Sequence, residues 1–220
     1  MSDDIQYEPV RGLPEALPDG EQILWQGSPS WKALAIDVFH VRAVLVYAAI
    51  LIAWRTLTVL HDGGSAGEAA IVALWLLLLP VGAIAILGAL AWATAASTVY
   101  TITNRRLAMR IGIALTVTLN LPFKTIVAAK YKPSWFGTGD LALALPAGDR
   151  ISYLVLWPHA RPWRVKHPQP TLRAVPDGER VANLLARALA GSAQQAARQV
   201  SSQPVRARAA DAARPAAVAG

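Results

Sequence analysis

The stretch Trp157-Pro158-His159-Ala160-Arg161-Pro162-Trp163-Arg164-Val165-Lys166-His167-Pro168-Gln169-Pro170 holds the densest set of chemically capable side chains in this sequence. Its prolines fix φ and remove backbone donors, so it reads as an extended, stiff connection rather than a strand or helix. Trp and Arg are the residues most enriched at interface hot spots, and both suit the headgroup zone of a bilayer. Two uses follow: contact with a partner or lipid through Trp157, His159, Arg161, Trp163 and Arg164, or a long connection that packs its two Trp on a neighbouring domain.

Other chemistry is sparse. The chain has no Cys, which excludes disulfides and thiolate-based metal or nucleophile chemistry. Its four His are scattered, and no Gly-rich phosphate loop, HExxH, nucleophile elbow or paired-carboxylate arrangement occurs. Asp140, Asp149, Asp177, Glu179 and Asp211 fall mostly in turns, at a helix start or in the tail. The expectation is a protein with no catalytic, cofactor or metal site; an enzyme of lipid or pigment metabolism ranks last. His40, in a region read below as interfacial, could ligate a chlorophyll-type magnesium, but such a His is more often a polar anchor.

The elements that must carry these residues are set by hydropathy. From Ala69 to Asn104 no Asp, Glu, Lys, Arg or His appears, and about twenty apolar residues cross a bilayer as a helix. A second apolar stretch, Ala43 to Leu60, is interrupted only by Arg55, which lies near the helix end and can snorkel. The loop His61 to Glu68 lacks Lys and Arg, whereas Lys32, Arg42, Arg105, Arg106 and Arg110 flank the other side. The positive-inside rule then puts both termini in the cytoplasm of a two-helix hairpin. Residues 1–42 precede the first span, which argues against a cleavable signal peptide. Pro80 and Gly82 are expected to kink the second span, and the Ala85, Ala89, Ala93 spacing is of a kind that Ala-rich helices reach by chance.

Ahead of the hairpin, Trp31, Leu34, Ala35, Val38 and Phe39 recur at helical spacing behind Ser30 as N-cap, which predicts an interfacial helix leading to His40 and Arg42. Charge is uneven: residues 1–96 carry 4 Lys/Arg and 9 Asp/Glu, so the overall +7 belongs to the C-terminal part. A tethered basic domain is drawn to anionic headgroups, and the tether makes nucleic acid the weaker partner.

After Ser97 the period changes to two. Strands are predicted around Thr98–Thr103, Arg106–Ile111, Leu115–Leu121, Thr125–Tyr131, Asp140–Leu145 and Arg150–Leu156, the last two joined by a turn at Pro146-Ala147-Gly148-Asp149. Pro176-Asp177-Gly178-Glu179 opens an amphipathic helix (Val181, Leu184, Leu185, Ala188, Leu189) with Gly191 as its stop. Antiparallel strands closed by one helix are the layout of a pleckstrin-homology fold. The expected organisation is a cytoplasmic segment with an interfacial helix (1–42), a transmembrane hairpin (43–96), a pleckstrin-homology-like α+β domain (97–190) and a disordered Ala, Gln, Arg, Ser and Pro tail (191–220).

These residues also carry a resemblance. Gly12-Leu13-Pro14-Glu15-Ala16-Leu17-Pro18-Asp19-Gly20-Glu21, Ile23-Leu24-Trp25-Gln26-Gly27-Ser28-Pro29 with Trp31, Phe39-His40-Val41-Arg42, and Leu156 to Arg164 resemble the PuhB family of photosynthetic complex assembly proteins from purple bacteria. Tyr100-Thr101-Ile102-Thr103-Asn104-Arg105-Arg106 is similar to the strand-turn signature of bacterial pleckstrin-homology-like domains. The resemblance implies a non-enzymatic factor of the cytoplasmic and intracytoplasmic membrane that helps the photosynthetic reaction centre to assemble. Its implied partners are reaction-centre subunits, light-harvesting polypeptides, membrane lipids and a second copy of itself. Contacts would come from Trp25, Trp31, His40 and Arg42 together with Trp157, His159, Arg161, Trp163 and Arg164. The alternative is a membrane-tethered module that binds anionic lipid headgroups.

Overall fold

The computed structural model describes residues 12–13, 15–146, 151–162, 164 and 166–212. Two long apolar helices dominate it: α2 (Val41–His61) and α3 (Ala66–Ser97), after a short α1 (Trp31–Asp37). Ser65 caps α3 by accepting from Glu68 N–H at 3.2 Å while the Glu68 carboxylate accepts from Ser65 N–H at 2.8 Å, so a tight turn returns the chain antiparallel to α2. Both helices are long and apolar enough to cross a membrane. At 1.5 Å per residue α2 spans about 31 Å and α3 about 48 Å, against a hydrocarbon thickness of about 30 Å. Helix α3 continues through Pro80. Its excess length is the C-terminal end, where Ala91, Thr94 and Ala95 are buried. Ala91 and Ala95 pack against Ala33, Leu34 and Ala35 of α1. The face of α3 packed on α1 is thus the one bearing Ala91 and Ala95, not the one bearing the exposed Ala85 and Ala89.

One residue after α3 the chain enters the antiparallel sheet β1-β2-β3-β4: β1 (Ile23–Gly27), β2 (Val99–Thr103), β3 (Arg106–Ile111) and β4 (Val117–Pro122). A second antiparallel sheet holds β5 (Ala128–Pro133), β6 (Thr138–Ala144) and β7 (Thr171–Pro176). Between the sheets lies one core in which Tyr100, Ile102, Leu107, Met109, Leu141, Leu143 and Leu172 are fully enclosed. Helix α5 (Gly178–Ala212) closes its open end with Val181 and Leu185.

The N-terminal segment is part of this domain rather than separate from it. β1 pairs with β2, and the Thr103-Asn104-Arg105-Arg106 turn clips it there. Asn104 Oδ1 accepts from Gln22 N–H at 3.1 Å, its Nδ2 donates to Gly20 carbonyl at 3.0 Å, and Arg106 Nε donates to buried Glu21 at 2.8 Å. Thr103 Oγ1 accepts from the backbone N–H of Arg105 and Arg106 at 3.1 and 3.0 Å, which fixes the turn itself.

Two expectations change and a third is not reached. Tyr153–Leu156 is a single helical turn, α4, not a strand, and the place beside β6 is taken by β7. The predicted turn at 147–149 lies outside the described residues. Helix α5 runs past Gly191 and through Pro204 to Ala212, where a disordered tail is expected; the Ala, Gln and Arg that directly follow Gly191 are good helix formers and outweigh its cost of about 1 kcal/mol.

Candidate docking site at the foot of the hairpin

Helix α1 is the joint between the hairpin and the domain. Its buried face packs on the end of α3 and on Ala174 of β7, and Ser30 N–H donates to Ala174 carbonyl at 2.9 Å. Opposite Ala174 the β6–β7 register is irregular between Gly139 and Leu141, and Asp140 Oδ1 accepts from Ala174 N–H at 2.8 Å. Ala174 itself takes φ 48, so its carbonyl turns out of the ladder toward α1.

Two aromatic contacts extend the joint. The Trp157 and Phe39 rings meet edge to face at 6.0 Å. The Arg42 guanidinium, on the second residue of α2, lies 4.6 Å from the Trp135 ring centre at the β5–β6 tip. Ser134 at the same tip donates to the Asp37 carboxylate of α1.

Beneath this joint is a buried polar relay. His159 is fully enclosed, with Tyr100 Oη 2.7 Å from its Nδ1 and Thr98 Oγ1 3.2 Å from its Nε2. Tyr100 Oη also accepts from Arg173 N–H at 3.1 Å. Its own proton is therefore directed at Nδ1, which assigns the Nε2–H tautomer to His159. Burial, assisted by the Arg173 charge, pushes the His159 pKa down to about 3, and burial pushes the Tyr100 hydroxyl well above its ordinary value. Arg173 is paired with Asp140 at 3.2 Å. These groups stay neutral or paired and serve to tie β2, the 157–161 segment, β6 and β7 together.

The sequence-predicted contact residues separate accordingly. Arg42 and Trp157 converge on the joint. Trp157 is 56% exposed and remains available to another molecule. His159 points inward and reaches no surface. Trp25 is half-buried against the core from β1. Trp31 is exposed, with Lys32 Nζ 5.9 Å from its ring centre. His40, exposed with φ 54, caps the break between α1 and α2, its Nδ1 2.8 Å from Val38 carbonyl. Arg161 donates to Gln169 at 3.0 Å, Arg164 is exposed, and Trp163 lies outside the described residues. Sequence reasoning missed Trp135 and Phe136; the signal was an aromatic pair before Gly137 in a polar hairpin turn. Among the described residues no group of three or more His, Cys, Asp or Glu is placed to hold a metal ion.

Comparison with known proteins agrees with this architecture. The chain is 41% identical over 192 residues to a Rhodobacter capsulatus protein described as an uncharacterised 23.7 kDa protein in the puhA 5′ region, an alignment covering 86% of this chain and 89% of that protein. No solved structure matches the chain. The bacterial PH domain profile matches residues 33–189, a range that takes in most of α1, the hairpin and every strand but β1, and the chain belongs to the bacterial PH domain family.

Proposed function

We propose that this protein is a non-enzymatic assembly factor for the photosynthetic reaction centre. In this reading the α2–α3 hairpin crosses the cytoplasmic or intracytoplasmic membrane of a purple bacterium, with both termini in the cytoplasm. The observation that carries the reading is the relative in the puhA 5′ region of Rhodobacter capsulatus, which is similar along almost its whole length. The PuhB-like sequence blocks support it, and two of them meet in space: Phe39 from one block lies beside Trp157 from another. Membrane insertion is supported by α2, in which no residue is buried. It is supported too by the exposed apolar side chains of α3, such as Trp75 and Leu79. Water would penalise that surface by about 25 cal/mol per Å², whereas lipid does not.

A scaffold of this kind acts through position. The short joint from α3 into β2 and the packing of α1 on both α3 and β7 hold the PH domain directly under the hairpin. Trp157 would there contact nascent reaction-centre subunits, with light-harvesting polypeptides as further partners. Deleting the gene in a phototrophically grown host tests the proposal: reaction-centre absorbance should fall in the deletion strain and return on complementation, and unchanged absorbance would contradict it.

A further inference from the structure

The β5–β6 tip presents a feature that the assembly role does not require. Ser134 to Thr138 carries no charge, and two large aromatics stand in it: Trp135 is 54% and Phe136 69% exposed. Phe136 adopts φ 57, ψ 36, a left-handed conformation that a bulky residue takes at a cost. The protein thus accepts backbone strain at a residue whose ring remains in the open, an arrangement that gains nothing from burial within the described fold.

The height of the tip relative to the hairpin identifies what covers it. Trp135 lies 4.6 Å from Arg42, the second residue of α2, so the tip sits where the first span begins. Asp37, five residues earlier, holds the same tip through Ser134. Behind the aromatics, Lys132 and Lys130 are exposed on β5, away from the hydrocarbon and within reach of headgroups. Aromatics at the level of the span terminus, backed by cations, match the layering of a bilayer interface: Trp and Phe at the acyl boundary, Arg and Lys among phosphates.

We infer that Trp135 and Phe136 form a lipid anchor that seats the PH domain on the anionic face of the bilayer beside its own hairpin. The inference rests on the reading that α2 and α3 span the membrane. It gives the domain an attachment to lipid in addition to its packing on the hairpin through α1, and so reinforces its height and orientation at the bilayer surface.

The absence of Cys allows a direct test. Single-cysteine versions of the full chain, Phe136→Cys at the tip, Leu79→Cys in mid-α3 and Lys124→Cys beyond the far end of β5, are nitroxide-labelled in phosphatidylcholine–phosphatidylglycerol vesicles. Collisions with oxygen, enriched in lipid, are then compared with those of a water-soluble nickel chelate. Labels at 79 and 136 should favour oxygen several-fold over the label at 124, and adding Trp135→Ala to the Phe136→Cys protein should shift label 136 toward the chelate. A label at 136 as water-accessible as that at 124, with label 79 still in lipid, overturns the anchor and leaves a protein as the occupant of the tip. If label 79 is also water-accessible, the spanning reading fails and the anchor falls with it.

Discussion

The Tyr100 hydroxyl stands 2.7 Å from Nδ1 of His159, a hydrogen bond between residues fifty-nine positions apart. With Arg173 N–H donating to the same oxygen, it binds β2, the strand that leaves α3, to the segment before β7 and to β7 itself. The foot of the hairpin and the two sheets therefore share one buried polar connection.

Tyr100→Phe removes that hydroxyl and leaves both His159 Nδ1 and Arg173 N–H enclosed without their partner. The expected loss is about 1–3 kcal/mol, read as a lowered unfolding midpoint of the full chain in detergent.

Stability should also fall with acid through His159. Its folded pKa of about 3 lies below its ordinary value of 6.5, so between those values the unfolded chain binds a proton that the folded chain refuses. The contribution is complete above pH 6.5 and declines as pH falls, by about 1.4 kcal/mol per pH unit for one proton. His159→Gln, which does not titrate, should show a shallower decline of unfolding midpoint between neutral pH and pH 5.

Glu21 contributes in a lower window. Burial alone would raise its pKa, but hydrogen bonds from Arg106 and Thr103 and the charges of Arg106 and Arg105 outweigh this and hold it below the ordinary 4.5. The stabilisation is present above that ordinary value and is lost as pH drops through the folded one. Glu21→Gln should therefore be less stable than wild type at pH 7, and the two should converge in strong acid.

At Ala174 two effects compete. Ala174→Gly relieves the left-handed strain of about 1 kcal/mol and gives up about 0.8 kcal/mol of buried methyl, so its midpoint should stay near that of wild type. Ala174→Val adds a β-branch at the same φ and overfills the cluster with Ala33 and Ala91, and should cost at least about 2 kcal/mol.

Gly178 is held by close approach. A Cβ there would stand 2.7 Å from Gly139 N and 3.1 Å from the Tyr131 ring. Gly178→Ala should push the start of α5 off the sheet at about 1–3 kcal/mol, visible as faster proteolysis within α5.

The parts of this architecture that rest on local periodicity were legible in the residues: the two long apolar helices, β2 to β6, and the helix from Gly178. The parts that rest on distant partners were not. Ile23–Gly27 is short and becomes a strand only because β2, over seventy residues later, offers its edge. Ile151 to Leu156 reads as a strand by composition, but β6 pairs with Thr171–Pro176 instead. The inward turn of His159 depends on Thr98 and Tyr100 standing opposite it. Residue type offers Trp157 and Arg42 as candidates for contact with a partner or lipid; that both belong to one joint, with Phe39 and Trp135 as their neighbours, follows only from the fold.

The central claim is that this protein holds reaction-centre subunits during assembly. Its most direct test is a mild-detergent pull-down of the tagged full chain from phototrophically grown cells, with mass spectrometry and an absorption spectrum of the eluate. Reaction-centre polypeptides enriched over an unrelated membrane bait, and reduced by Trp157→Ala in stably expressed protein, are the result predicted. An eluate containing lipid but no photosynthetic subunit would contradict the claim.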